Sequence, residues 1–147
     1  GGHSSRDGLA RAGAISHISA DYFILSFGMN DSAPWKLVPI DEFELNLKKI
    51  IQILGPKRTT IVLLPPIFEE KQPGPDKRTA KITHEYGKVI HGLSTEFGIQ
   101  PIDLNPKLNE LTAKNIEYYS EDGVHYNQEG NKVLIDEISA FIRGINS

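Results

Sequence analysis

The sequence has no cysteine, which excludes disulfide staples, thiolate metal sites and a cysteine nucleophile. That absence fits a reducing compartment and makes a cytoplasmic location the expectation, although disulfide-free secreted bacterial proteins share it. Long hydrophobic runs are also missing. The most apolar stretches, Tyr22–Phe27 and Ile61–Ile67, fall far short of the roughly 20 residues of a membrane helix, so no membrane span is expected. Neither sign of charge dominates: 16 Lys and Arg face 19 Asp and Glu, for a net charge of −3, and no basic patch points to nucleic acid. The opening Gly1-Gly2-His3-Ser4-Ser5-Arg6-Asp7-Gly8 has neither an initiator Met nor the apolar core of a signal peptide, so the natural start is expected upstream. No repeat, low-complexity tract or long linker divides the 147 residues. One domain spanning 1–147 is expected, with about two thirds of the unfolded chain's surface buried. At 39% hydrophobic and 24% charged residues, the composition is that of an ordinary globular protein.

What is present alternates between two periods. Leu9, Ala12, Ile15 and Ile18 recur about every three residues behind Ser4 and Ser5, which predicts a helix over Gly8–Ile18. Asp21–Phe27 is a short apolar run ending at Gly28, the signature of a strand buried on both faces. Beyond the loop Met29–Pro39, Asp41 and Glu44 have the spacing of a reciprocal cap, and Phe43, Leu47, Ile50, Ile51 and Leu54 form one helical stripe that Gly55-Pro56 ends. Thr59–Leu64 is again strand-like, closed by Pro65-Pro66. The polar loop Phe68–Asp76, with its Pro73-Gly74-Pro75, is expected to be mobile. Ile82, Tyr86, Val89, Ile90, Leu93 and Phe97 mark another helix, Ile99–Leu104 another strand, and Gly130–Ile145 a last helix. Apolar strands alternating with helices predict an α/β fold, a parallel sheet with helices on both faces. In such sheets ligands bind beyond the carboxyl ends of the strands, so the loops after Phe27, Leu64 and Leu104 should line one crevice.

Three groups of residues in that region bear chemistry. In Gly28-Met29-Asn30-Asp31 the Asn30 amide could donate a hydrogen bond into the crevice, as an oxyanion-stabilising group must; the same residues also suit a simple turn. In Ser120-Glu121-Asp122-Gly123-Val124-His125-Tyr126-Asn127, Asp122 and His125 lie three apart across a glycine. An imidazole is the usual base for a hydroxyl nucleophile and needs a carboxylate to hold its tautomer, but a turn former and a loop histidine would read the same way. The third group, Gly1-Gly2-His3-Ser4-Ser5, leads into the first helix, where backbone N–H groups converge and could bind an anion.

Together these segments resemble the SGNH (GDSL-like) hydrolase family. Gly2-His3-Ser4-Ser5-Arg6-Asp7-Gly8-Leu9-Ala10-Arg11 is similar to its second block, whose glycine N–H contributes to the oxyanion hole; the resemblance gives that role to Gly2. Gly28-Met29-Asn30-Asp31 resembles the third block and makes Asn30 a second oxyanion donor. Asp122-Gly123-Val124-His125, followed by Gly130, resembles the fifth block, which supplies the acid and base of the triad. Val38-Pro39-Ile40-Asp41-Glu42-Phe43, Asn46-Leu47-Lys48 and Leu64-Pro65-Pro66 are further similar to the isoamyl-acetate-hydrolysing esterase subgroup. The resemblance implies a three-layer α/β/α sandwich with a flavodoxin-like parallel sheet, no metal or organic cofactor, and a small-molecule ester substrate lined by Met29, Asp31, Pro65 and Val124.

One part of the pattern is not here. The family's first block, Gly-Asp-Ser-Leu or close to it, carries the nucleophile at the end of the first strand, and the chain contains no such motif. Ser4, Ser5, Ser26, Ser32, Ser94 and Ser120 stand in no comparable turn, and Ser4 and Ser5 suit helix caps. The chain is therefore expected to enter the fold partway, without its first strand, first helix and second strand. The expectation is a serine esterase working through an acyl-enzyme, inactive as this chain alone. The competing reading is a hydrolase-like binding or interaction domain without catalysis; a phosphate or nucleotide binder using Gly1–Ser5 lacks a P-loop lysine or dinucleotide glycine pattern. Loss of the first strand would leave Asp21–Phe27 as an open edge, to be completed by a separate N-terminal segment or by a homodimer.

Overall fold

The computed structural model describes residues 2–145, so Gly1 of the glycine-rich start lies outside it. Five helices, α1 (Ser5–Ser16), α2 (Ile40–Leu54), α3 (Ala80–Phe97), α4 (Asn105–Ala113) and α5 (Gln128–Ile145), accompany strands β1 (Phe23–Leu25) and β2 (Thr59–Ile61). The strands pair in parallel, with Phe23 opposite Thr59, Ile24 opposite Thr60 and Leu25 opposite Ile61. On the far side of β2, the Ile102 N–H donates to the Ile61 carbonyl and the Leu63 N–H to the Ile102 carbonyl, both at 2.9 Å. β2 is thus central, with β1 on one side and the Ile102 segment on the other.

Successive side chains of a strand point to opposite faces, and this alternation divides the core. Leu25, Ile61 and Leu63 pack with Ala12 of α1, the α2 stripe and Tyr86, Ile90 and Leu93 of α3. Ile24, Val62, Ile102 and Leu104 turn the other way, against Leu108 of α4 and Val133, Leu134, Ile138 and Phe141 of α5. Helices on both faces of a parallel sheet are the α/β class that the sequence indicated. The Phe43 and Tyr86 rings meet at 4.9 Å, and the Tyr86 hydroxyl donates to the Val38 carbonyl, which binds the end of the loop after β1 to the core.

The elements differ from the expected ones where local chemistry decides. α1 starts at Ser5 rather than Gly8: Ser4 takes the cap position, and the Asp7 carboxylate accepts its backbone N–H at 2.8 Å. The reciprocal cap foreseen at Asp41 and Glu44 does not form, because α2 already begins at Ile40 behind Pro39, with no side-chain cap. Pro39 needs no partner for an N–H and its φ is preset. The expected strands are longer than the ladders: only Phe23–Leu25 and Thr59–Ile61 pair regularly, and Ile99–Leu104 is reduced to one bridge at Ile102, next to Pro101, which has no N–H to give. Helix α4 was not foreseen; Leu108 is its single fully buried residue, too few for a recognisable stripe. The loop Phe68–Asp76 is held at its first residue, with the Phe68 N–H donating to the Gly123 carbonyl at 3.1 Å and the Phe68 ring 5.4 Å from that of Tyr119, while its tip, residues 73–76, is exposed.

Among the described residues no strand pairs with the outer side of β1. That side faces a cavity of about 430 Å³ lined by Gly2, Gly8, Ala12, Phe23, Leu25 and Phe27, among others. On α5, Ile135, Ile142 and Ile145 are 62%, 44% and 45% exposed, so part of its apolar face is also uncovered. An unpaired apolar edge is a template for another strand, and a backbone group buried without a partner costs about 1–3 kcal/mol. The isolated 147-residue chain should therefore self-associate: size-exclusion chromatography with light scattering is expected to show species larger than the 16.3 kDa monomer. A monodisperse monomer with cooperative unfolding would show that the open edge is tolerated.

Candidate active site

The segment from Ser120 to His125 is a tight turn, closed by the Ser120 N–H donating to the His125 carbonyl at 2.7 Å. Inside it, one oxygen of the Asp122 carboxylate accepts the N–H groups of Val124 at 3.0 Å and His125 at 2.9 Å. The other lies 2.5 Å from Nδ1 of His125. Gly123 makes this possible. Its φ is 67°, and a Cβ there would come within 2.5 Å of the Phe68 carbonyl oxygen, so the left-handed region and the close approach both require glycine. Gly130 likewise lets α5 start against the turn, since a Cβ would meet the Tyr118 carbonyl at 2.2 Å. Asn127 joins the pieces: its amide nitrogen donates to the Glu117 carbonyl at 2.8 Å, and its oxygen accepts the N–H of Glu129 at 2.9 Å and of Gly130 at 3.1 Å.

His125 is 79% exposed and Asp122 37%, so the pair faces solvent. With Nδ1 turned to Asp122, Nε2 is the nitrogen left to take a proton from an attacking hydroxyl. Partial burial works against the Asp122 charge, but the hydrogen bonds from the His125 ring and from the N–H groups of His125 and Val124 outweigh it, holding the carboxyl down at about 2.

Asn30 sits in the loop after β1. Its amide nitrogen donates to the His3 carbonyl at 2.9 Å, and its amide oxygen lies 3.4 Å from Nη2 of Arg78. Gly2 precedes at a φ of 78°, its carbonyl accepting from Lys36. The loop is locked by Asp31, which has no exposed surface and accepts the N–H of Ser5 at 2.8 Å and of Gly28 at 3.0 Å. Asp31 is thus an internal brace, turned away from the crevice that the sequence assigned it to. Met29, Asn30 and Pro65 line a cavity of about 170 Å³ together with His3, Leu64 and Tyr126. Val124, Asp122 and His125 line another of about 240 Å³ with Trp35, Gln72 and Arg78. The loops after Phe27 and Leu64 therefore share a crevice as expected, whereas the chain beyond Leu104 enters α4 at once and contributes Asn105 to a neighbouring cavity. Arg78, which touches Asn30 and lines the cavity beside Asp122, was not foreseen; no local pattern marks it. Among the described residues no three His, Asp or Glu side chains converge to hold a metal.

The carboxylate-held imidazole and the asparagine amide line separate cavities, and Arg78 reaches from the one beside Asp122 and His125 to the Asn30 amide oxygen. The family model for the GDSL-like lipase/acylhydrolase family matches residues 1–133. The chain belongs to that family. A GDSL esterase/lipase of Arabidopsis thaliana is 30% identical over 139 residues, covering 80% of this chain and 57% of the relative. An isoamyl acetate-hydrolyzing esterase 1 homolog of Homo sapiens is 26% identical over 129 residues, covering 76% and 51%. The chain thus spans about half the length of the curated relatives it matches. Among solved structures, a lipase/acylhydrolase from Enterococcus faecalis superposes with a TM-score of 0.85 at 24% identity, over 97% of this chain and 72% of that one. The acetylxylan esterase Axe2 of Geobacillus stearothermophilus superposes with a TM-score of 0.71 at 21% identity, over 93% and 66%. These solved structures share the fold, and the matched family is one of lipases and acylhydrolases.

The depressed Asp122 pKa has a measurable consequence. Followed by carboxyl-carbon NMR, Asp122 should titrate at about 2 rather than at its ordinary 3.8. Its contribution to stability is present in full above about pH 4 and is lost as the pH falls towards 2, because protonation removes the hydrogen bonds that favour the charged form. Asp122→Asn should flatten that part of the stability profile, and an Asp122 that titrates near 3.8 would show that the turn does not hold its charge.

Proposed function

We propose that the protein to which this chain belongs is a carboxylic-ester hydrolase acting on short acyl esters through a serine acyl-enzyme. The serine hydroxyl attacks the ester carbonyl while Nε2 of His125 takes its proton; Asp122 holds the imidazole in place and stabilises the imidazolium. The oxyanion of the tetrahedral intermediate receives hydrogen bonds from the Asn30 amide and the Gly2 N–H. Collapse breaks the ester C–O bond, the leaving alkoxide takes the proton from His125, and water repeats the sequence on the acyl-serine. The observation that carries this reading is the 2.5 Å contact between His125 Nδ1 and Asp122, in a cavity also lined by Arg78, which reaches Asn30. The cavity beside Asn30, about 170 Å³, lies below the usual range of ligand pockets and suits a short acyl group.

The nucleophile belongs to a segment preceding this chain, seated along the open edge of β1, where the 430 Å³ cavity borders both Gly2 and Asn30. A second reading, a non-catalytic binding domain, draws on one observation: among the described residues no serine hydroxyl hydrogen-bonds to the His125 ring. Ser5 instead accepts from Asn46 at 3.1 Å, and Ser32 and Ser94 donate to backbone carbonyls.

Hydrolysis of an aryl acetate separates the two. The 147-residue chain should be no faster than its His125→Ala variant. A version extended upstream through a Gly-Asp-Ser segment should be active and should lose about 10⁴-fold or more in kcat on the same substitution. No activity in the extended chain favours the binding domain. Labelling of Ser4 or Ser5 in the shorter chain by a serine-directed phosphonate overturns the upstream assignment.

A further inference from the structure

We propose that Arg78 is a positioning residue for the oxyanion donor: its guanidinium holds the Asn30 amide oxygen from behind and turns the amide nitrogen towards the reacting carbonyl. This rests on the ester-hydrolase reading for its catalytic meaning, though the contact itself does not.

Arg78 is only 7% exposed, an expensive place for a cation, yet no carboxylate lies within ion-pairing distance of it among the described residues. Its donors go to the loop that carries the donor amide: Nε gives a hydrogen bond to the Met29 carbonyl at 2.8 Å, and Nη2 lies 3.4 Å from the Asn30 amide oxygen. A side-chain amide can rotate by half a turn and exchange its oxygen and nitrogen. A guanidinium has donors only, so facing Arg78 the oxygen must point inward and the nitrogen outward. One hydrogen of that nitrogen is used on the His3 carbonyl; the second is left for the oxyanion. The positive charge behind the amide also polarises it, strengthening its N–H as a donor.

Arg78 is in turn held on every side. The Gln72 side chain, itself buried, accepts the Arg78 N–H at 2.9 Å and donates to its carbonyl at 2.8 Å. The Trp35 ring covers the guanidinium at 4.7 Å, excluding water from one face. Burial draws the guanidinium pKa below its ordinary value, and the Asp122 charge opposes that shift. A residue needed only for packing would not require a fixed charge, a clamp on its backbone and an aromatic cover.

The test uses the chain extended through its serine-bearing segment. Arg78→Met should lower kcat for an aryl acetate about 10- to 100-fold with KM changed less than about threefold, since the acyl pocket is untouched. Arg78→Lys should recover part of the loss. In an Asn30→Ala background Arg78→Met should cost almost nothing further, because the group it positions is gone. Independently of activity, the Asn30 side-chain amide signal in an ¹⁵N-correlated NMR spectrum, identified by its loss in Asn30→Ala, should move on Arg78→Met. Should that variant not fold, the Arg78→Lys comparison decides alone. Additive losses, a loss carried by KM, or full activity with Arg78→Met would overturn the proposal, as would an unmoved Asn30 signal. If no form hydrolyses esters but the Asn30 signal moves, the ester-hydrolase reading fails and the positioning contact stands.

Discussion

The geometry of the candidate site depends on one buried carboxylate. Asp31 has no contact with water, and a charge in that position is tolerated only if hydrogen-bond donors surround it. Two of them come from segments far apart in sequence: the N–H of Ser5, the first residue of α1, and the N–H of Gly28, at the end of β1. Satisfying Asp31 therefore forces the start of α1 against the loop after β1. The chain just before α1, Gly2 and His3, is carried along and lies beside Asn30. Anchoring continues inward through Asn46 of α2, whose amide donates to the Ser5 hydroxyl at 3.1 Å, so the brace is fastened to the core. The N-terminus of α1 also supplies the positive end of a helix dipole to the carboxylate.

The acid–base pair is built on a different plan. Asp122 and His125 are three residues apart, and a single turn with a left-handed glycine brings them together without help from the rest of the chain. What tertiary packing adds is placement: Phe68 closes over Gly123, Tyr118 lies against Gly130, and the Tyr119 and Tyr126 rings stack at 5.3 Å and 6°. Through these contacts the turn is fixed at the carboxyl ends of the strands, where Arg78 spans the space between it and Asn30. Local assembly gives the pair its internal distances, and the aromatic cluster beneath aims it.

Two surfaces, the outer side of β1 and part of the apolar face of α5, are uncovered among the described residues. A strand within a parallel α/β sheet has neighbours on both sides, and β1 has one on only one side among the described residues. The chain spans about half the length of its curated relatives. The candidate site lies at the open side of β1: the cavity along β1 is lined by Gly2 and Asn30 as well as by the strand itself.

Features that depend on neighbours in sequence were legible from the residues alone. The stripe of Phe43, Leu47, Ile50, Ile51 and Leu54 marks a helix wherever it is placed, and Asp122-Gly123-Val124-His125 encodes its own turn. The fold class follows from the alternation of such elements, and the family from the order of its blocks. Weak local signals failed in part: α4 offers one buried leucine and no stripe, and Asp41 does not cap α2, whereas Ser4 does cap α1. The long-range contacts were not legible at all. Nothing near Asp31 says that it braces α1 rather than lining a crevice, because its partner Ser5 is 26 residues away. Nothing near Arg78 says that it backs Asn30, 48 residues earlier. Those pairings exist only because burial leaves a charge no choice but the donors or acceptors that folding brings to it, and which ones arrive is decided by the packed chain, not by any short stretch of it.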